Sequence, residues 1–113
     1  MNKIKNITLG DKQFKPFIES DKIISKIINM SITLNKEYAN KKPLFICVLN
    51  GAFLFASELI KRFNHECEVS FVKLASYEGI ESSGIVSKLI GLNEDLKDRN
   101  IIIVEDIVDT GNT

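Results

Sequence analysis

Two short, uninterrupted apolar runs, residues 44–49 and 101–104, have the pattern of strands that are buried on both faces of a parallel sheet. Residues 68–76 alternate more strongly and predict a further strand, and a short strand is expected near residues 85–90. Weak alternation around a Gly-Asp pair in residues 4–18 predicts a short hairpin at the start of the chain.

Two segments between these runs carry apolar residues at helical spacing. The first extends from Asp21 to Ala39, with Ser20 as the expected amino-terminal cap and Asp21 favourably placed at the positive helix end. Its predicted apolar face comprises Ile24, Ile27, Ile28, Leu34 and Tyr38. The face of the second helix, residues 52–63, comprises Phe53, Ala56, Leu59, Ile60 and Phe63. Strands and helices in this order predict an α/β domain with a parallel core sheet flanked by helices.

Composition narrows the class of protein. With 113 residues the chain is long enough for one domain, residues 1–113, and its 15 basic and 15 acidic residues give no net charge. No nucleic-acid or membrane-surface partner is therefore expected. Neither a signal peptide nor a membrane-spanning stretch is evident. Cys47 and Cys67 are each expected in a strand as reduced core residues, which points to the cytoplasm, and His65 is expected to be a solvated turn residue.

Polar residues follow the last apolar run immediately. Glu105 and Asp106 come at its carboxyl end. A small, hydroxyl-rich set follows them: Asp109, Thr110, Gly111, Asn112 and Thr113. Ligands of open α/β sheets bind just outside the carboxyl ends of the strands, and two neighbouring carboxylates repel each other unless a cation or hydroxyl donors lie between them. The pattern predicts a site for a polyhydroxylated, phosphorylated ligand with a divalent metal; a solvated strand end is the alternative.

Residues 101–113 closely resemble the phosphoribosyl pyrophosphate (PRPP) motif of the type I phosphoribosyltransferases. Three further segments resemble the hypoxanthine phosphoribosyltransferases in particular: Leu49, Asn50 and Gly51 after a strand, Ser76 and Tyr77 before a Gly/Ser loop, and Gly91 and Leu92 ahead of the final strand. The resemblance covers roughly residues 5–113. It implies the amino-terminal part of a type I phosphoribosyltransferase fold with a flexible lid hairpin, in a single domain that is truncated at its carboxyl end.

The resemblance also implies roles for the motif residues. Glu105 and Asp106 would accept hydrogen bonds from the ribose hydroxyls of PRPP and help to hold Mg²⁺. Asp109 would be the general base beside N7 of the purine, where a carboxylate suits a weakly acidic N–H group. The loop that binds the 5′-phosphate would comprise Thr110, Gly111, Asn112 and Thr113.

Two other segments receive roles from the same resemblance. Leu49, Asn50 and Gly51 would bind pyrophosphate through backbone amides, with a peptide bond after the Leu that can be cis; a plain strand-to-helix turn is the alternative. Asn50 replaces a lysine that some relatives carry. Ser76 and Tyr77 would bind substrate at the start of the lid, residues 79–84, whose alternative is an ordinary mobile loop. Lys73 is equally compatible with neutralising pyrophosphate and with a surface-facing strand position.

The implied activity is purine salvage, in which the phosphoribosyl group moves from PRPP to hypoxanthine or guanine and gives IMP or GMP and pyrophosphate. The resemblance further implies Mg²⁺ as cofactor, a homo-oligomer at full length, and impaired activity of a truncated chain. Alternatives are a type I phosphoribosyltransferase for another base, and a non-catalytic fragment or interaction module. A Rossmann dehydrogenase and a P-loop NTPase are disfavoured because neither GxGxxG nor GxxxxGK[ST] is present.

Overall fold

The computed structural model describes residues 6–75, 87–90 and 96–107. Its elements, in chain order, are β1 (Ile7–Leu9), β2 (Lys12–Phe14), α1 (Ser20–Glu37), β3 (Leu44–Leu49), α2 (Phe53–Ile60), β4 (Glu68–Ala75), β5 (Ser87–Ile90) and β6 (Ile101–Val104). The predicted lid, residues 79–84, lies outside the described residues. Within the described ranges, no helix combines the length and the apolar content needed to cross a membrane.

The strands form two sheets. β1 and β2 make the antiparallel hairpin that the sequence predicts, and the other four strands form one sheet in the order β5-β4-β3-β6. β3 pairs in parallel with both β4 and β6, whereas β5 is antiparallel to β4. The predicted α/β architecture is therefore confirmed: β4, β3 and β6 are parallel neighbours, and α2 crosses over from β3 to β4.

The core lies on both faces of β3, as its apolar run predicts. Phe45 and Cys47 pack with the helices on one face, where Phe45 meets Phe63 edge-on with ring centroids 5.4 Å apart. Leu44 and Ile46 belong to a smaller cluster on the other face. Successive side chains of a strand point to opposite faces of the sheet. Every second residue of β3 therefore contacts the helices, and the residues between them contact the smaller cluster.

Helix α1 confirms the predicted helix but differs at both ends, since it begins at Ser20 and ends at Glu37 instead of Ala39. Ser20 is the first helical residue, and the cap position belongs to Glu19, whose extended backbone has φ −74° and ψ 149° and which makes no side-chain cap hydrogen bond. The Glu19 carbonyl instead accepts the amides of Lys22 and Ile23. The predicted Ser20 cap is therefore wrong by one position, a shift that is common at helix ends. Ile27 is buried as predicted, but Ile28 lies at the exposed edge of the apolar face.

Helix α2 is shorter than predicted and ends at Ile60. The amides of Arg62 and Phe63 bond to carbonyls three residues earlier, so the chain tightens into a turn that still buries Phe63 in the core. The side chain of Asn35 on α1 fastens this turn, because it donates to the Arg62 carbonyl at 3.0 Å and accepts the Asn64 amide at 2.7 Å. At the other helix end, Phe53 is 55% exposed, contrary to its predicted place on the buried face.

Strand β6 is buried on one face only, which corrects the expectation of cover on both. Val104 is 2% exposed and packs with the helices, but Ile103 is 65% exposed. Among the described strands, β6 pairs with β3 alone and forms an edge of the sheet. Its second face therefore has cover only near Ile101, which packs with Leu96 and the smaller cluster.

The two cysteines are free thiols, as predicted. Cys47 is buried in β3, but Cys67 lies one residue before β4 rather than within a strand. Burial raises the pKa of the Cys47 thiol and, in the same direction, the pKa of the Cys67 thiol. His65 is exposed in the turn before β4, where its ring meets Phe63 edge-on.

Charged side chains join the amino ends of the parallel strands. Glu68, the first residue of β4, lies 3.5 Å from the Lys42 ammonium and 3.3 Å from the Arg99 guanidinium. The Leu44 amide bonds to the Asn100 carbonyl at 2.8 Å, which aligns β3 with β6. Exposed ion pairs contribute little stability individually. Here these contacts fix the position of the strands, because together they connect β3, β4 and β6 at the edge opposite the candidate site.

Candidate functional site

The candidate site begins where β3 ends and turns into α2. The Leu49–Asn50 peptide bond is cis, in agreement with what the resemblance implies for this position. The turn is closed by the Ala52 amide, which bonds to the Val48 carbonyl at 3.3 Å, and by the Phe53 amide, which bonds to the Asn50 carbonyl at 3.2 Å. Gly51 lies between these bonds, and within the described residues its own amide makes no backbone hydrogen bond.

Asp106 approaches this turn from the neighbouring strand. A β-carbon built on Gly51 would lie 2.9 Å from Asp106 Cγ, closer than real side chains pack. Asp106 Oδ1 accepts the Ile107 amide at 2.8 Å, which holds the carboxylate at the strand end, and its other oxygen faces Gly51. Only glycine permits this approach of backbone and carboxylate. Two predicted site segments that are far apart in sequence are thus in contact.

The parallel register explains why they meet. Cys47 of β3 is paired with Val104 of β6, so the residues that follow each strand emerge at the same edge of the sheet. Glu105 and Asp106 leave β6 there beside the Asn50–Gly51 turn. Glu105 is half-buried and Asp106 is exposed. Among the described residues, no lysine, arginine or histidine forms an ion pair with either carboxylate.

The pair of carboxylates is a suitable partial site for Mg²⁺. Magnesium prefers oxygen ligands, retains several waters and commonly uses one or two carboxylates together with substrate phosphates. The structure offers two such carboxylates, and neither forms an ion pair with a protein cation among the described residues. The described residues contain no cluster of three or more His, Cys, Asp or Glu side chains that would form a closed metal cage. The donor set therefore fits a metal that is shared with a ligand better than a structural metal.

Strand β4 brings a lysine to the same edge. Lys73 is paired in register with Leu49, the last residue of β3. It is half-buried, and within the described ranges it has no ion-pair partner. The carboxyl edge thus has a cation on β4, a glycine turn after β3 and two carboxylates after β6.

An apolar cavity of about 510 Å³ also touches Glu105, but it lies on the helix side of the sheet. Its lining is mainly apolar and includes Met30, Leu34, Phe55 and Val104. A phosphorylated sugar would leave its polar groups without partners in such a cavity. The edge beside Gly51 and Asp106 is therefore the better candidate for a polar ligand.

Several predicted site residues lie outside the described residues: Ser76, Tyr77, Asp109, Thr110, Gly111, Asn112 and Thr113. Of the predicted set, the structure brings together Gly51 and Asp106, with Leu49, Asn50 and Glu105 next to them in the chain. The contact between Gly51 and Asp106 was not foreseen. The sequence signal for this contact was that one predicted strand ends in a glycine turn and another ends in two acids. This signal indicates a contact between them only once the register of the two strands is known.

Comparison with known proteins agrees with this geometry. The phosphoribosyl transferase domain family matches residues 18–113. The chain belongs to this family. A hypoxanthine-guanine phosphoribosyltransferase of Streptococcus thermophilus is 39% identical over 105 residues, which are 91% of this chain and 58% of that protein. The chain thus spans little more than half the length of the curated relatives that it matches.

Solved phosphoribosyltransferase structures share the fold. A hypoxanthine-guanine phosphoribosyltransferase from Bacillus anthracis superimposes with a TM-score of 0.79 at 26% identity, over 87% of this chain and 59% of that one. A hypoxanthine phosphoribosyltransferase from Staphylococcus aureus gives a TM-score of 0.72 at 33% identity, over 80% and 50% of the two chains. Both comparisons confirm the expected α/β fold class and the resemblance to hypoxanthine phosphoribosyltransferases.

Proposed function

We propose that this chain carries the PRPP-binding part of a hypoxanthine-guanine phosphoribosyltransferase. The reaction would move the phosphoribosyl group from PRPP to hypoxanthine or guanine and release pyrophosphate. The observation that supports the proposal most directly is the packing of Asp106 against Gly51, because it unites a glycine turn and two carboxylates at the carboxyl edge of the sheet. The names of the relatives favour hypoxanthine and guanine over another base.

Each end of this edge suits a different part of PRPP. Glu105 and Asp106 offer acceptors for the two ribose hydroxyls, and the same carboxylates would hold Mg²⁺, which would neutralise charge on the pyrophosphate. The turn after Leu49 and Asn50 presents the Gly51 backbone, where the absence of a side chain lets a phosphate approach closely. A ligand that spans this edge would therefore touch both segments.

The remaining roles are part of the same proposal. Asp109 would act as general base beside the purine, and a phosphate loop would be formed by Thr110, Gly111, Asn112 and Thr113. Ser76 and Tyr77 would contact the reacting groups and help to exclude water from them. Self-association at full length and a cytoplasmic location also remain predictions from the sequence.

Binding of PRPP is the direct test. Isothermal titration calorimetry of the chain with PRPP should show binding in the presence of Mg²⁺ and little or none when EDTA removes the metal. Formation of IMP from hypoxanthine and PRPP, followed by absorbance with a version of the chain extended to the length of its relatives, tests the reaction itself. An interaction module without catalytic function would bind no PRPP under either condition, and that result would refute the proposal.

A further inference from the structure

Lys73 shares a face of the sheet with the residue that opens the glycine turn. Phe45 and Cys47 face the helices. Leu49 is two residues after Cys47 in the same strand, so its side chain points to the same face. Lys73 is the register partner of Leu49, and paired residues of neighbouring strands project to the same side. Val72, the preceding residue, packs in the cluster on the opposite face, which agrees with this alternation.

The charge of Lys73 is not used within the described part of the protein. Two other lysines there have acidic partners: Lys42 lies 3.5 Å from both Glu66 and Glu68, and Lys61 lies 3.0 Å from Glu58. Lys73 has no such partner among the described residues although it is half-buried. A partly desolvated ammonium without a counter-charge attracts an anionic ligand more strongly than a fully hydrated one.

The charges at the carboxyl edge are arranged in order across three strands. The cation lies on β4, the neutral turn with Asn50 and Gly51 follows β3, and the carboxylates of Glu105 and Asp106 follow β6. A ligand with phosphate at one end and hydroxyls with a metal at the other complements this order in one orientation only. We propose that Lys73 binds the pyrophosphate group of PRPP and supplies the positive charge that the neutral Asn50 side chain does not.

This inference rests on the proposed function and deepens it, because it gives the pyrophosphate end of the ligand a specific protein cation. It also predicts the orientation of the bound ligand. Pyrophosphate would lie towards β4, and the ribose would lie towards β6, where the two carboxylates are. Removal of the Lys73 charge should weaken every ligand that contains the pyrophosphate group, whereas a ligand that lacks this group should be unaffected.

The test is calorimetry of the Lys73→Met chain with Mg²⁺–pyrophosphate and with Mg²⁺–PRPP. Methionine retains a long side chain but removes the charge. The affinity for both ligands should fall about tenfold to a hundredfold, the range expected for loss of a hydrogen bond to a charged group. Lys73→Arg should retain most of the affinity. Lys61→Met is the matched control, because it removes an equal charge from the far end of α2.

A second readout separates local contact from general electrostatics. The double variant Lys73→Met/Asn50→Lys should recover part of the pyrophosphate affinity, since it returns a cation to the adjacent turn. Circular dichroism melting of each variant checks that the fold is kept. If the unaltered chain binds Mg²⁺–PRPP and Lys73→Met binds it equally well, or if Lys61→Met weakens it as much, the assignment of Lys73 is wrong while the proposed function survives. Failure of the unaltered chain to bind Mg²⁺–PRPP overturns both.

Discussion

Asp106 packs against the backbone of Gly51 so closely that a β-carbon at position 51 would lie 2.9 Å from Asp106 Cγ. This relationship connects the turn after β3 with the acids after β6, and it gives Gly51 a role that turn geometry alone would not require. Gly10, by contrast, has open space around it and is a glycine because its φ is +62°. The two glycines therefore allow a matched comparison.

Gly51→Ala should weaken Mg²⁺-dependent PRPP binding much more than it lowers stability. The new methyl group would displace the Asp106 carboxylate towards solvent, and because this side chain is exposed and makes one hydrogen bond, to the Ile107 amide, the free energy of unfolding should fall by no more than about 1 kcal/mol. Calorimetry and urea denaturation measure the two effects. Gly10→Ala should show the reverse pattern, with about 1 kcal/mol lost to backbone strain and unchanged binding. Equal binding by both variants would contradict the proposed site.

Much of the fold was predictable from the sequence because the strands of the core are local patterns. The β3 run was predicted with its bounds and its burial on both faces, since every residue from Leu44 to Cys47 is apolar and meets a layer on its own side. The apolar run of β6 looks the same in sequence, but Ile103 is exposed. Burial of an edge strand depends on neighbours that no local pattern encodes.

The site was predictable only in part, for a related reason. The acids at residues 105 and 106 and the turn at residues 49–51 were each recognised, because strand ends followed by polar or glycine residues are visible locally. Their contact depends on the pairing of Cys47 with Val104, and the place of Lys73 depends on its pairing with Leu49. Register between distant strands follows from packing of the whole sheet, so neither relationship could be predicted from the sequence.

Asp106→Asn should reduce the affinity for Mg²⁺–PRPP by about tenfold to a hundredfold, because a neutral amide binds a metal ion and ribose hydroxyls more weakly than a carboxylate. The amide oxygen can still accept the Ile107 amide, so thermal stability should change little. Calorimetry at several Mg²⁺ concentrations measures the effect. Asp98→Asn, a change of the same kind outside the candidate site, is the control. A Mg²⁺ dependence that is identical in the two variants would exclude Asp106 from the metal site.

Phe45→Ala should lower the free energy of unfolding by about 3–5 kcal/mol. Phe45 is 0% exposed and forms the edge-on contact with Phe63, so its removal leaves a cavity between the sheet and the helices. Phe17→Ala is the control with the same chemical change, because Phe17 is 94% exposed and should contribute almost nothing. Urea denaturation of both variants measures the difference. Similar losses at the two positions would show that the core does not lie on the helix face of β3.

Stability should decline in alkaline solution partly through Cys47. Burial raises the pKa of this thiol, so the folded chain retains the proton to higher pH than the unfolded chain does. Its contribution is fully present below the unfolded pKa of about 8.5 and is lost as the pH rises through the folded value. Cys47→Ala should be less stable than the parent at neutral pH but should lose less stability above about pH 8.5. Parallel pH curves from denaturation at several pH values would contradict this.

Asp109→Asn in a version of the chain extended to the length of its relatives should reduce turnover far more than PRPP affinity. A general base acts on the transition state, and general acid–base steps typically contribute about 10²–10⁴-fold, so kcat should fall within that range. Binding of PRPP needs no proton transfer, and its dissociation constant should change by less than about threefold, well under the 1.4 kcal/mol that a tenfold change represents.

Asp106→Asn provides the contrast, because loss of a metal and ribose ligand should weaken PRPP binding as well. Steady-state kinetics of IMP formation together with calorimetry distinguishes the two patterns. Unchanged kcat in Asp109→Asn would remove Asp109 from the role of general base, whereas equal losses of kcat and PRPP affinity would make it a ligand of PRPP rather than the base.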